Sequence, residues 1–497
     1  MLNLFGRKID HPLADPDEVQ KVLKDLPAQE ASSALESAAA WYDSLAATSE
    51  FKFAQRLELI QRIDETVLPH TRRLARDYLV APQQTRAQEY RFWQINHNYW
   101  QSLAAAYDDS LRRLTEDGKV SDIGKAELAL LCARQLNANC GCLKWQHFRY
   151  GPIVPGLWQS AGQAWLAAQA AQATGQSVQL YASTGTTTPE AEYLRVLVLH
   201  SSSPDNLLPV EIEIVERLIA HLLGHFSLTN RARPENVYWV DPAKPLPPTR
   251  LARIPEITPT LRFYATGSAL EALGRIKAAI AASGSLPGEI NFGAQYSPRL
   301  VLQVIDHLAL CWAPKPPMRS HERRQIKSRM TVVGRFESIC LHLLGQADDD
   351  GDRAESWVVE DVSQGGIGAQ VSLTGKDWLR VGSLVAMQPD GGSNWLLGVV
   401  RRFNRETETQ GVVGIETLSK EPASFIADSL GLPTPVVLLD PLVAGSNCRV
   451  AMSVAAWDEQ KRLRVNTGGK FWRLSPGAQV ESGAGHVIGQ CRIELEP

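Results

Sequence analysis

The apolar residues of this chain change their spacing part-way along it, and that change rules out a single architecture. From Asp15 to about Ser227 they recur every three or four positions, the period of an amphipathic helix. Beyond Pro314, Pro316 and Pro317 they gather into short runs rich in Val, Ile and Trp, separated by Gly, Asp and Ser, the pattern of short strands. The length agrees, since 497 residues exceed one ordinary domain and suggest about three.

The helical half opens with Asp15 as N-cap, Pro16 at the first helical position and Asp17 and Glu18 in the first turn. Between Pro82 and Gly118 neither Pro nor Gly occurs, while Phe92, Trp93, Tyr99, Leu103, Tyr107, Leu111 and Leu114 keep helical spacing. One long helix ending at Gly118 is expected. Another begins at Pro209, with Ile214, Val215, Leu218, Ile219, Leu222 and Phe226 as its apolar face. The six prolines between Arg231 and Pro255 suit a stiff connector. After it, Leu261 to Tyr264 reads as a strand, and Ala269 to Ala282 and Pro298 to Trp312 as helices.

Six strand-like runs follow: Met330 to Leu344, Trp357 to Glu360, Ile367 to Leu373, Ser383 to Gln388, Trp395 to Phe403 and Val412 to Leu418. Six short strands in about 90 residues suggest a closed antiparallel barrel. Glu421 to Gly431 is compatible with a helix, and Val436 to Glu496 carries further strand-like runs. The expected fold is therefore α+β and multidomain. It has a helical domain over 1–230, a proline-rich linker over 231–254, a small mixed segment over 255–318, a six-stranded barrel over 319–431 and a β-rich extension over 432–497.

Charge narrows the partners. Fifty-one Lys and Arg against 54 Asp and Glu leave a net charge of -3, which argues against general affinity for nucleic acid or anionic lipid. Forty-four per cent hydrophobic residues with a mean hydropathy of -0.18 place the chain in the soluble globular class. Seven thinly spread cysteines do not make a disulfide framework, and charges from Arg7 onward interrupt any signal-like apolar run. The apolar stretches fall short of the roughly 20 residues that cross a bilayer. A cytoplasmic protein without membrane insertion is expected.

Within the expected barrel, EDVSQGGIGAQV sets Asp361, Ser363 and Gly366 in the order D-x-S-x-x-G between two strands. Ahead of the first strand stands RSHERRQIKSRM, with Arg319, Arg323, Arg324 and Arg329. Together with GVVRRF (Gly398 to Phe403) and GVVGIETL (Gly411 to Leu418), these segments resemble the PilZ domain, a family of cyclic di-GMP receptors marked by R-x-x-x-R before the first strand and D/N-x-S-x-x-G between later ones. The resemblance spans 319 to 420. It implies cyclic di-GMP as ligand, with Arg323, Arg324, Arg329, Asp361, Ser363 and Gly366 as its contacts.

The residue types suit that ligand on their own terms. A guanidinium can fork onto a phosphate, pair with guanine O6 and N7, or stack on the base. A carboxylate in a short turn can accept from guanine N1–H and N2–H, Ser363 can bond a base or phosphate, and Gly366 lets backbone approach a ligand. The arginine spacing departs from the family. Four residues before Arg329 stands Gln325, and Arg324 lies one further back, an offset that a one-residue bulge would absorb. Arg319 and Arg323 have the literal spacing but lie further from the strand.

Other motifs point to no chemistry. Cys132, Cys140, Cys142 and His147 lack the C-x-x-C spacing of zinc knuckles and read as buried thiols, so no metal is expected. His221 and His225 stand four apart, but Leu222 occupies the place of the H-E-x-x-H glutamate. GGIGAQV lacks the third glycine of a dinucleotide fingerprint. STGTTTPE from Ser183 lacks the Gly-Lys-Ser/Thr end of a phosphate loop and reads as a turn into a helix capped near Thr188. No catalytic residue and no cofactor are expected. The expected function is a cyclic di-GMP effector whose barrel alters how the helical half meets an unidentified protein partner; the alternative is a ligand-free scaffold.

Overall fold

The computed structural model describes residues 9–80, 85–118, 120, 123–290, 292, 293, 295–315, 322–347, 354–429 and 431–496. They form two compact units. One comprises Met1–Arg149, Ile153–Pro204 and Pro209–Pro317, the other Tyr150–Pro152, Asp205–Leu208 and Met318–Pro497.

The first unit begins with α1 (Pro16–Asp25), α2 (Ala31–Ala47), α3 (Phe53–Val80), α4 (Arg86–Glu116), α5 (Lys125–His147) and α6 (Pro155–Ala170). A short hairpin of β1 (Val178–Gln179) and β2 (Thr186–Thr187) leads to α7 (Pro189–Ser201) and α8 (Pro209–Leu222). The expected caps are present: the Asp15 carboxylate accepts from Asp17 N–H, and the Thr188 hydroxyl accepts from Ala191 N–H. Thr85 and Gln88 close a capping box at the start of α4, which ends before Gly118 in a left-handed conformation. From Leu131 to Leu136 and from Ala138 to His147, α5 is buried on every side, so it forms the axis against which α4, α6 and α7 pack. A Cβ on Gly141 would lie 2.3 Å from the Trp100 ring, so this glycine sets how closely α4 approaches α5.

Beside that axis lies a buried carboxylate. Asp64 on α3 accepts hydrogen bonds from the hydroxyls of Tyr107 (2.8 Å), Tyr181 (3.2 Å) and Tyr99 (3.3 Å). Burial raises its pKa to about 6, although Arg134 and the three hydroxyls pull the other way.

The proline-rich segment differs from expectation. It builds part of a sheet of β3 (Leu228–Thr229), β4 (Asn236–Val240), β5 (Thr249–Arg250) and β6 (Arg262–Ala265), in the order β3-β6-β4-β5. The prolines flank NVYWV without entering it, so the ladder loses no donor there. The expected strand and helices after it are β6, α9 (Gly267–Ser283) and α10 (Pro298–Trp312). Among the described residues, no helix is long and apolar enough to cross a membrane.

The second unit holds two closed six-stranded antiparallel barrels. The first contains β7 (Arg324–Gly334), then, after the helix α11 (Phe336–Leu344), β8 (Glu355–Ser363), β9 (Gly366–Ser372), β10 (Leu384–Pro389), β11 (Leu396–Arg405) and β12 (Gln410–Ser419). Around the barrel they run β10-β11-β12-β9-β8-β7. Met330, Val332, Trp357, Val385, Phe403 and Val413 fill the lumen. The expected strand from Met330 to Leu344 is thus half correct: Arg335 takes φ 64°, breaking the extended chain, and Phe336 onward turns helical.

The second barrel corrects two further expectations. Its strands are β13 (Ala423–Ser429), β14 (Leu432–Leu438), β15 (Asn447–Ser453), β16 (Leu463–Thr467), β17 (Lys470–Ser482) and β18 (His486–Leu495), closed in the order β13-β14-β15-β18-β17-β16. The helix-compatible Glu421 to Gly431 is largely strand β13, paired residue for residue with β14, and Gly431 at φ 84° donates its N–H to Asp428 in the hairpin turn. A division at residue 431 therefore cuts a hairpin. The barrels share one apolar plate: Val333, Leu384, Ala386 and Leu397 of the first meet Val437, Leu439, Ala451 and Ile488, with Phe336 and Ile339 of α11 between them.

Candidate ligand-binding site on the first barrel

The β8–β9 hairpin presents the D-x-S-x-x-G residues. Ser363 pairs with Gly366 across the turn, and its Oγ donates to Gly366 O at 3.3 Å. Gly366 is required for close approach, not for a positive φ: a Cβ there would lie 2.3 Å from the Ile415 carbonyl oxygen on β12. At Gly368 a Cβ would sit 2.9 Å from Asp361 Oδ1, so this glycine clears room for the carboxylate.

Arg323, just before β7, reaches the same turn. Its Nη1 donates to both oxygens of Asp361, at 2.8 and 3.0 Å, with the side chains 41% and 22% exposed. Arg323, Asp361, Ser363 and Gly366 line one open cavity of about 540 Å³. Arg324 and Arg329 stand on β7 itself, not on a lead-in, and are not among its lining residues. Arg324 is opposite Val362, and Arg329 donates to Ser356 Oγ at 3.2 Å. A bulge between Gln325 and Ser328 lets the six residues from Arg324 to Arg329 face only the five from Val362 to Val358, the ladder spacing of R-x-x-x-R. Arg319 lies outside the described residues.

Two further arginines line the cavity from β11, Arg401 and Arg402. Arg401 Nε donates to Glu416 at 2.6 Å, while its Nη atoms fork onto Glu481 of the second barrel. Burial alone would lower its pKa, but the bonds to Glu481 and Glu416 outweigh burial and raise it. Arg402 Nε donates to Asp205 at 2.6 Å. Both lie in the GVVRRF run that marked a closing strand. Their place at the site depends on the pairing of β12 with β9, which sets β11 two strands from β9.

The arrangement has the means to exchange partners. Arg323, Arg401 and Arg402 each hold a carboxylate, and an incoming phosphodiester offers the same bidentate geometry. Asp361, released from Arg323, has two acceptor oxygens for the N–H edge of a purine.

Elsewhere the candidates stay apart. Cys132, Cys140 and Cys142 are buried in α5, and burial pushes all three thiols up to about 12. Among the described residues no cluster of His, Cys, Asp and Glu is arranged to hold a metal ion. His221 and His225 border a different cavity beside α9, where His225 Nδ1 meets Ser268 Oγ at 2.9 Å. GGIGAQV is β9.

Residues 17–234 match a family model described as the cyclic-di-GMP receptor FimW, N-terminal domain. The matched stretch includes α2 to α8 and ends before the barrels, so it shares no residue with the segment that resembles PilZ. No curated protein matches the chain.

Proposed function

We propose that this protein is a cyclic di-GMP receptor, that its first barrel is PilZ-like, and that the ligand sits in the cavity formed by Arg323, Asp361, Ser363, Gly366, Arg401 and Arg402. The convergence of Arg323 on the Asp361–Gly366 turn carries the reading, because residues 38 apart in sequence meet at one cavity. Independent support comes from the helical half, whose family match names a receptor for the same nucleotide. Arg324 and Arg329, spaced by the bulge, reach the ligand from β7.

Binding draws Arg402 off Asp205, in the loop that joins α7 to α8 along the chain, and so acts on the helical half that engages a protein partner. Calorimetric titration of the full chain with cyclic di-GMP should give a dissociation constant on the order of micromolar, about -8 kcal/mol. GTP and cyclic AMP should bind far more weakly, as neither presents two guanines on a closed ring. One observation favours the scaffold alternative: Asp361, Ser363 and Arg401 are all bonded within the protein. Absence of heat and of thermal stabilisation at saturating cyclic di-GMP would decide for it.

A further inference from the structure

We propose that the helical unit carries a second ligand site, for a phosphate-bearing small molecule of nucleotide size, in the cleft between α3, the Ser183–Thr187 segment and α8. The cleft encloses about 710 Å³. The inference stands apart from the barrel reading, since every lining residue belongs to the first unit.

Its rim is basic. Arg72 and Arg76, four apart on α3, are neighbours on one helix face, and both are exposed. Arg76 comes within 3.9 Å of Asp77, too far for a hydrogen bond. Across from them runs Ser-Thr-Gly-Thr-Thr, the segment whose sequence lacks the end of a phosphate loop. Gly185 has no atom within 4 Å of where a Cβ would be, so its backbone is open to a ligand, and Ser183 and Thr186 add hydroxyls.

The floor is charged and nearly closed on itself. Lys144 bridges Glu213 (3.2 Å) and Glu216 (2.6 Å), Arg195 holds Glu216 (2.6 Å), and Arg217 holds Glu213 (3.0 Å). Glu192 is 3.5 Å from Arg195. Three carboxylates thus face three cations, and since Arg76 pairs with Asp77, the positive surplus of the cleft comes from Arg72. Arg195 Nε and Glu192 Oε2 are buried without a hydrogen-bond partner among the described residues, although nearly all buried polar atoms in folded proteins are paired. Trp100, half-buried at the cleft, gives it an apolar face on which a base can lie.

The test titrates the full chain with inorganic pyrophosphate, GMP and cyclic di-GMP in three forms: the parent, Arg323→Ala/Arg401→Ala and Arg72→Glu/Arg76→Glu. At least one probe should bind the Arg323→Ala/Arg401→Ala form and protect residues 183–187 from hydrogen exchange, and the charge reversal at 72 and 76 should weaken that binding tenfold or more. Binding of pyrophosphate would show that phosphate alone suffices; binding of only the nucleotides would add the base. The proposal is overturned if no probe binds the Arg323→Ala/Arg401→Ala form at millimolar concentration, or if binding survives the charge reversal. Failure of the barrel reading registers separately, as cyclic di-GMP affinity indifferent to Arg323→Ala/Arg401→Ala.

Discussion

The two units treat charge in opposite ways. The helical unit buries Asp64, Arg134, Lys144, Glu192, Glu213 and Asp241, whereas among the described residues of the barrel unit no Asp, Glu, Lys or Arg is buried. The lumen of a six-stranded barrel is filled by side chains from every wall and leaves no room to solvate or pair an ion. Helices packed round a central one leave crevices where long side chains from two of them meet, as Lys144 of α5 meets Glu213 and Glu216 of α8. Such a cluster adds little net stability but fixes which helix faces which.

Removing one member of that cluster should have the largest effect. Lys144→Met removes the cation shared by two carboxylates, leaving Glu216 to Arg195 and Glu213 to Arg217, and should cost about 3 kcal/mol, read as a loss of helical-unit stability in urea. A cost below about 1 kcal/mol would break the contrast between the units. Gly366→Val tests the barrel, where the penalty is steric: the branched side chain meets the β12 backbone and should cost about 1–3 kcal/mol as well as abolish cyclic di-GMP binding.

Acid should divide the helical unit against itself. Glu216 is held down to about 2 from 4.5; burial opposes the shift but Lys144 and Arg195 prevail, so the stability it adds is present above pH 4.5 and is lost as pH falls toward 2. Asp64 has the reverse sign. Raised from 3.8 to about 6, its contribution is full below pH 3.8 and is lost as pH rises through 6. In pH-dependent unfolding, Glu216→Gln should flatten the lower limb and Asp64→Asn the upper. The smallest effect on stability is expected at Arg323→Ala. Its exposed ion pair with Asp361 is worth less than about 1 kcal/mol, while affinity for cyclic di-GMP should drop about tenfold or more.

What could be read from sequence was local. Asp15, Thr188 and the Pro/Gly-free run ending at Gly118 announce helix ends because capping is a short-range hydrogen-bond problem. The β8–β9 turn was legible for the same reason, and so was the misfit in arginine spacing that the bulge absorbs. The long-range pairing of β12 with β9 was not legible. Nothing local in Arg401 or Arg402 says that β11 comes round to the turn. Phe425 and Ile426 carry no mark distinguishing helix from strand until β14 pairs with them. NVYWV was overlooked because prolines crowd its flanks, although they stop at its ends.

The apolar plate between the barrels bears on inheritance. A gene fragment ending at Leu418 would encode a first barrel with Val333, Leu384, Ala386 and Leu397 laid open to water, a surface built to meet Val437 and Ile488. Such a fragment should stick to copies of itself. Recombination should therefore move the two barrels as a pair, and the first barrel cut at Leu418 would not travel alone.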